Sequence, residues 1–289
     1  MIGTTLQKFR IQKGLKPNQI YKGIMSKSSY WNLENSGVMS SFELVVSCLK
    51  RMNVEVDEFI DALDSENNLH FENLIEERKI AFNRQDITKL QDLKKIFENN
   101  HEQTSSVRYL HASNVCQLMV LRLLRKKPQK QYYKPIHDYL MNCEYWTYYE
   151  INLFSATMYT FDFEYVARLF QQARKGITRY PKIHRSWNEE TAMLLNYLSL
   201  CIQNKEDEHI KQAFKIMEEE IIISDKNLYN RVLVRWAKYI IRGYFTKEEE
   251  NFIKAAQVIQ VFKDYEMDGQ FNLTSTWTQM YRRIILDGK

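Results

Sequence analysis

The sequence predicts an all-α protein, and three observations carry that reading. Glycine and proline are scarce, eight and four in 289 residues, which leaves little material for the turns of a β-rich fold. Apolar residues recur at i, i+3 and i+4 along most of the chain, the period of an amphipathic helix. Beyond residue 69 such segments return about every forty residues, as in stacked helix pairs. With 44% hydrophobic content the chain can bury a large core and should hold more than one domain. It has no run of 18 apolar residues and no apolar signal segment at the start, which predicts a cytoplasmic protein without a membrane partner. The cysteines at 48, 116, 143 and 201 form no C-x-x-C pair and read as reduced thiols.

The first elements centre on residues 15–37, LKPNQIYKGIMSKSSYWNLENSG. Pro17 suits the first turn of a helix, where its missing N–H costs nothing. Ile20 and Ile24 give that helix an apolar stripe, and Gly23 and Met25 fall at a turn. Ser26 is a good N-cap for the next helix. There Tyr30 and Leu33 face a core, which leaves Lys27, Ser28, Trp31 and Asn32 on the outer side. This is the pattern of a helix-turn-helix, whose second helix meets base edges in the major groove. The candidate DNA contacts are Lys16, Lys27, Ser28, Trp31 and Asn32.

Charge supports the same reading. Residues 1–30 carry Lys8, Arg10, Lys13, Lys16, Lys22 and Lys27 and no acid, and the first carboxylate is Glu34. The whole chain holds 41 basic residues against 36 acidic, so the basic character is local. A positive face beside a recognition helix suits phosphate contact. A lysine run taken alone would instead be a solvated helix face.

Three stretches, IGTTLQKFRIQKGL, IYKGIMSKSSYWNLENSG and ELVVSCLKRMNVEVDEFIDAL, resemble the N-terminal domain of the Rgg (Rgg/GadR/MutR) family of transcription regulators in Gram-positive bacteria. The resemblance implies a five-helix DNA-binding domain joined to a tetratricopeptide-like array that binds a short signalling peptide, in a homodimer. It also implies a structural pair between an arginine of helix one and the glutamate of helix three, here Arg10 and Glu34. The departures are local. Lys16 and Pro17 stand where the family has a Ser or Thr cap followed by a residue such as glutamine. Asn32 replaces an arginine, Ser36 a glycine (with Gly37 next), and Trp31 a small polar residue. The fold is implied more fully than the individual DNA contacts.

A fourth helix is predicted from Phe42, Leu44, Val45, Cys48, Leu49 and Met52, and a short fifth from Val54, Val56, Phe59, Ile60 and Leu63. The polar stretch at 64–68 marks the boundary between a DNA-binding domain, 1–66, and a helical repeat domain, 67–289. Repeats are predicted to start near Phe71, Ser105, Tyr145, Ser186 and Asn227. Breakers fall at Pro128, Gly176 with Pro181, Asn204 to Glu208, and Gly243. Trp277 to Leu286 forms a terminal helix, and its Trp277, Met280, Ile284 and Ile285 are more apolar than a cap needs, which suggests a dimer surface. The alternative to an array is an irregular helical bundle.

Stacked helix pairs present a concave binding surface. Aromatics crowd residues 145–154 and 159–170; most must be core, but spare ones suit an apolar peptide. Asn152, Asn196, Arg231 and Arg235 interrupt apolar helices and are the candidate peptide-binding residues. Each asparagine offers donors and an acceptor to a peptide backbone, and the two arginines, one turn apart, could hold a carboxylate. The plainer alternatives are asparagines satisfied between helices and arginines on a solvated face. The basic run at 122–134 reads as a solvated turn. No metal or cofactor is expected, because the histidines lack ligand spacing and no phosphate loop or nucleophile elbow is present. The sequence points away from an enzyme. The competing function is a repeat-type interaction protein with a degenerate helix-turn-helix.

Overall fold

The structure is a computed structural model that describes residues 2–36, 40–64, 70–178, 185–220 and 227–287. Helices make up all its regular structure among the described residues, as the composition predicts. None of them is long and apolar enough to cross a membrane. Two compact units are present, residues 1–77 and 78–289. The division falls inside the helix His70–Asn83. Of the polar stretch at 64–68, residues 65–68 lie outside the described residues, as do Gly37 and Pro181.

The first unit contains α1 (Ile2–Gln12), α2 (Pro17–Tyr21), α3 (Lys27–Asn35), α4 (Phe42–Met52) and α5 (Val56–Asp64). Leu6, Ile20, Tyr30, Leu33, Val45, Leu49 and Phe59 form its core. A Cβ on Gly3 would lie 1.9 Å from the carbonyl oxygen of Leu33, so α1 and α3 touch backbone to backbone. Only glycine permits that approach. Helix α2 is shorter than the sequence suggests. It ends at Tyr21, Gly23 takes φ +81°, and Ile24 lies in the turn, half-buried. Phe42 and Ile60 sit on their predicted helices but stay open to solvent, 65% and 43% exposed.

The second unit takes in the end of α6 (His70–Asn83) and then α7 (Ile87–Thr104), α8 (Val107–Leu123), α9 (Lys130–Asn142), α10 (Tyr148–Thr157), α11 (Phe163–Thr178), α12 (Arg185–Asn204), α13 (Asp207–Lys215), α14 (Leu228–Thr246), α15 (Glu249–Asp264) and α16 (Asp268–Arg282). Alternate helices α6, α8, α10, α12 and α14 begin close to the five predicted repeat starts. Helix α8 packs on α10, α10 on α12 and α12 on α14, so these first members form a continuous layer. The core runs unbroken from Val115 to Ile285.

Two glycines expected at breaks lie inside helices, although α11 does end two residues past Gly176, at Thr178. Gly176 lies within α11 and Gly243 within α14. A Cβ on Gly176 would stand 2.8 Å from the carbonyl oxygen of Trp146, and one on Gly243 would stand 2.8 Å from the Phe252 ring. Both are notches that let neighbours come close. Pro128 does lie between α8 and α9, and the polar run after Asn204 does separate α12 from α13.

The last helix also differs from expectation. It begins at Asp268 and continues past Arg282 as a π-helical turn, Arg283–Asp287. Trp277 and Tyr281 pack on Trp236, each with ring centroids 6.1 Å apart, and Ile285 is buried. Met280 and Ile284 are packed against the same core. The apolar stripe of this helix is thus packed, in part, on the array.

Candidate functional site

In the first unit, α3 is held by its own chemistry. Ser26 caps it, with Oγ accepting the Ser29 N–H at 3.1 Å. Arg10 and Glu34 form the two-pronged pair that the sequence suggested. Nε donates to Oε1 at 2.7 Å and Nη2 to Oε2 at 2.9 Å. The Tyr30 hydroxyl donates to the same Oε1 at 2.5 Å, and Arg10 Nη1 to the Leu15 carbonyl at 3.0 Å. The hydrogen bond with Glu34 raises the Arg10 pKa, and burial followed by that carboxylate keeps the Tyr30 phenol protonated. Helices α1 and α3 and the turn before α2 are thus tied through the Arg10–Glu34 pair.

The start of α2 lacks a Ser or Thr cap. Gln19 closes it instead, its Oε1 accepting the Lys16 N–H at 2.7 Å. Lys16 is exposed beside this turn. On α3, Lys27, Ser28, Trp31 and Asn32 are all exposed. Lys27 and Trp31 lie one turn apart, as do Ser28 and Asn32, so the four share the outer face of the helix. Helix α4 braces the turn from behind, where Arg51 Nη1 donates to the Ile20 carbonyl at 3.1 Å.

In the array, Arg231 and Arg235 line a cleft of about 840 Å³ between α14, α15 and the π-helical turn Ile216–Glu220 that follows α13. Lys238 and Arg242 continue the same basic row at helical spacing, and Val232 and Val258 supply apolar floor. Glu218 is the carboxylate of the lining among the described residues, and it pairs with Lys238 at 3.3 Å. The cleft therefore combines several cations with an apolar base. Such a surface suits an anionic group carried on an apolar chain.

The asparagines do not line that cleft. Asn196 is half-buried on α12 and donates to the Ser155 carbonyl (3.2 Å) and hydroxyl (3.1 Å) of α10. Asn152, on α10, donates to Tyr148 of its own helix at 2.9 Å. The amide donors of Asn196 are thus used within the protein, which leaves its side-chain oxygen for a ligand. Asn152 keeps its oxygen and a second N–H. Three adjacent helices of one layer, α10, α12 and α14, nonetheless carry all four candidates.

Sequence reasoning missed Lys238 and Arg242, although they extend the spacing of Arg231 and Arg235 by three and seven residues. It also missed Arg78. That side chain is 8% exposed, its Nε has no hydrogen-bond partner, and burial lowers its pKa. Nearby, His111 Nδ1 lies 2.8 Å from the Tyr149 hydroxyl. Nothing in HFENLIEERKIAFN separates Arg78 from its charged neighbours, so no pattern signalled its burial. Among the described residues no group of three or more His, Cys, Asp or Glu side chains could hold a metal.

A family profile described as the C-terminal domain of HTH-type transcriptional regulator Rgg matches residues 90–275. The chain belongs to the Rgg family. The matched region runs from α7 into α16 and includes the basic cleft. Solved structures share the fold over the whole length. A protein of Listeria monocytogenes EGD-e matches at TM-score 0.79 and 19% identity, covering 97% of this chain and 96% of its own. The SHP pheromone receptor Rgg2 of Streptococcus dysgalactiae matches at 0.72 and 17%, covering 97% and 99%. PrgX, in its complex with cCF10, matches at 0.68 and 17%, again covering 97% and 99%.

Proposed function

We propose that this Rgg-family protein is a cytoplasmic, homodimeric transcription regulator that binds promoter DNA through residues 1–66 and a short signalling peptide through residues 67–289. The observation that carries the peptide half is the basic, apolar-floored cleft on α14. Arg231 and Arg235 hold a carboxylate of the peptide, and Lys238 and Arg242 extend the positive field along it. The side-chain oxygens of Asn152 and Asn196 accept N–H groups of the peptide backbone on the neighbouring helices. That Rgg2 is a pheromone receptor and that PrgX forms a complex with cCF10 support this reading. Lys16 and Lys27 meet phosphates, while Ser28, Trp31 and Asn32 face base edges. The peptide acts by preferring one arrangement of the array, since a ligand with equal affinity for both arrangements shifts nothing.

The test uses a synthetic octapeptide library with free C-terminal carboxylates. The parent protein enriches a subset, and the Arg231→Ala, Arg235→Ala double variant binds that subset at least about tenfold more weakly, as loss of charge-assisted hydrogen bonds requires. Equal binding by both proteins would place the peptide elsewhere. The competing reading, an interaction protein with a degenerate helix-turn-helix, draws on the missing Ser or Thr cap at Lys16. It predicts no salt-sensitive binding to any duplex.

A further inference from the structure

We propose that Trp31 is a thymine reader, which commits the DNA site of this protein to a T·A pair beneath the second turn of α3. The proposal rests on the DNA-binding reading above. The outer face of α3 is otherwise polar, with Lys27, Ser28, Asn32 and Asn35 exposed on it. Trp31 stands among them 59% exposed, whereas Tyr30 beside it is 1% exposed. The other open aromatic of the unit, Phe42, lies at the head of α4. An indole left in water adds nothing to the core, and it gains binding free energy from a surface that covers it.

The charge of its surroundings identifies that surface. No acid precedes Glu34 in the chain, and Glu34 is itself buried and paired with Arg10. A polyanion therefore meets Lys27 at the first turn without repulsion, and Trp31 follows one turn further along the same face. The indole is also held on a rigid support. Asn35 Nδ2 donates to the Trp31 carbonyl at 3.0 Å, and Gln7 Nε2 of α1 donates to Asn35 Oδ1 at 3.2 Å. With the Ser26 cap and the Glu34 network, both ends of the helix are fixed.

Base chemistry then selects the partner. Indole has one N–H donor, no acceptor and a broad apolar body. In the major groove cytosine presents an amino donor that indole cannot satisfy, and adenine sets its N7 acceptor beside another amino donor rather than an apolar group. Guanine presents acceptors without an apolar group. Thymine alone combines an acceptor, O4, with a methyl group. Asn32, the next residue, has the side chain that pairs with adenine, so Trp31 and Asn32 together suit T·A.

The test starts from a random-core duplex library from which the full-length parent selects its preferred sequences. Those duplexes are remade with deoxyuridine in place of thymidine in the core, which deletes only the methyl groups. The parent should bind the thymine form at least about fourfold more tightly, the value of one buried methyl. Trp31→Ala should bind both forms alike, while Trp31→Phe, which keeps an apolar ring, should retain the preference. Both exposed-site variants should melt like the parent. Equal binding of the two forms by the parent, or a preserved preference in Trp31→Ala, overturns the proposal and leaves DNA binding intact. If the parent selects no duplex at all, the DNA-binding reading falls and this proposal with it.

Discussion

Glu34 is 4% exposed and receives hydrogen bonds from both Arg10 and Tyr30, so it is the residue on which the geometry of α3 depends most. Removing one partner of a buried pair costs roughly 3–5 kcal/mol, because the other charge is left unneutralised. Glu34→Ala should therefore lower the midpoint of the first denaturant transition and weaken binding to every duplex equally. A variant with unchanged midpoint would show that the pair adds nothing to the fold. In the array, burial pushes His111 and His137 down to about 4, from an ordinary histidine value near 6.5. Between those limits the unfolded chain binds more protons than the folded one, so stability falls as pH drops from about 6.5 toward 4. The melting temperature of the array should decline between pH 7 and 5, and His111→Gln should lessen that decline. An equal decline in the variant would assign it to other groups.

At the scale of elements, legibility followed whatever left a period. The array was readable because each helix pair buries one face on the next, which forces apolar residues to recur at helical spacing within segments of about forty residues. Arg10 and Glu34 were readable only through the family resemblance, since 24 residues separate them and no local pattern joins them. A glycine that stops a helix and one that notches it look alike in sequence. The difference lies in the neighbour: Gly176 faces the backbone of Trp146, which no pattern around residue 176 reports. Gly176→Ala gains about 1 kcal/mol of helix propensity. The collision at 2.8 Å with a carbonyl that cannot rotate away costs about 1–3 kcal/mol. Net destabilisation is expected, read as a lower melting temperature of the array. A stabilised variant would mean that α11 can slide. The asparagines are legible in part: the pattern places Asn196 on a layer helix, but only the packing of α12 on α10 shows Ser155 taking its amide.

For the whole molecule, α3 is the element that limits the proposed DNA binding. It is nine residues long and presents a handful of side chains, too few to select one site in a genome. Two copies related by two-fold symmetry double those contacts and require two half-sites about 10 base pairs apart or a multiple of that distance. The same limit argues for a homodimer. The apolar stripe of α16 has less to offer such a surface than its sequence suggests, because Trp277, Met280 and Ile284 are half-buried against their own array. Trp277→Ala should thus loosen the end of the array, lowering its melting temperature, and should leave the association state unchanged. Sedimentation of the parent at micromolar concentration should give twice 34.8 kDa. A single species of 34.8 kDa, with footprints on DNA showing one half-site, would rule the dimer out. A dimer that dissociates in Trp277→Ala while the array stays folded would return the interface to α16, and the packing of that helix against Trp236 would then be insufficient to occupy its apolar face.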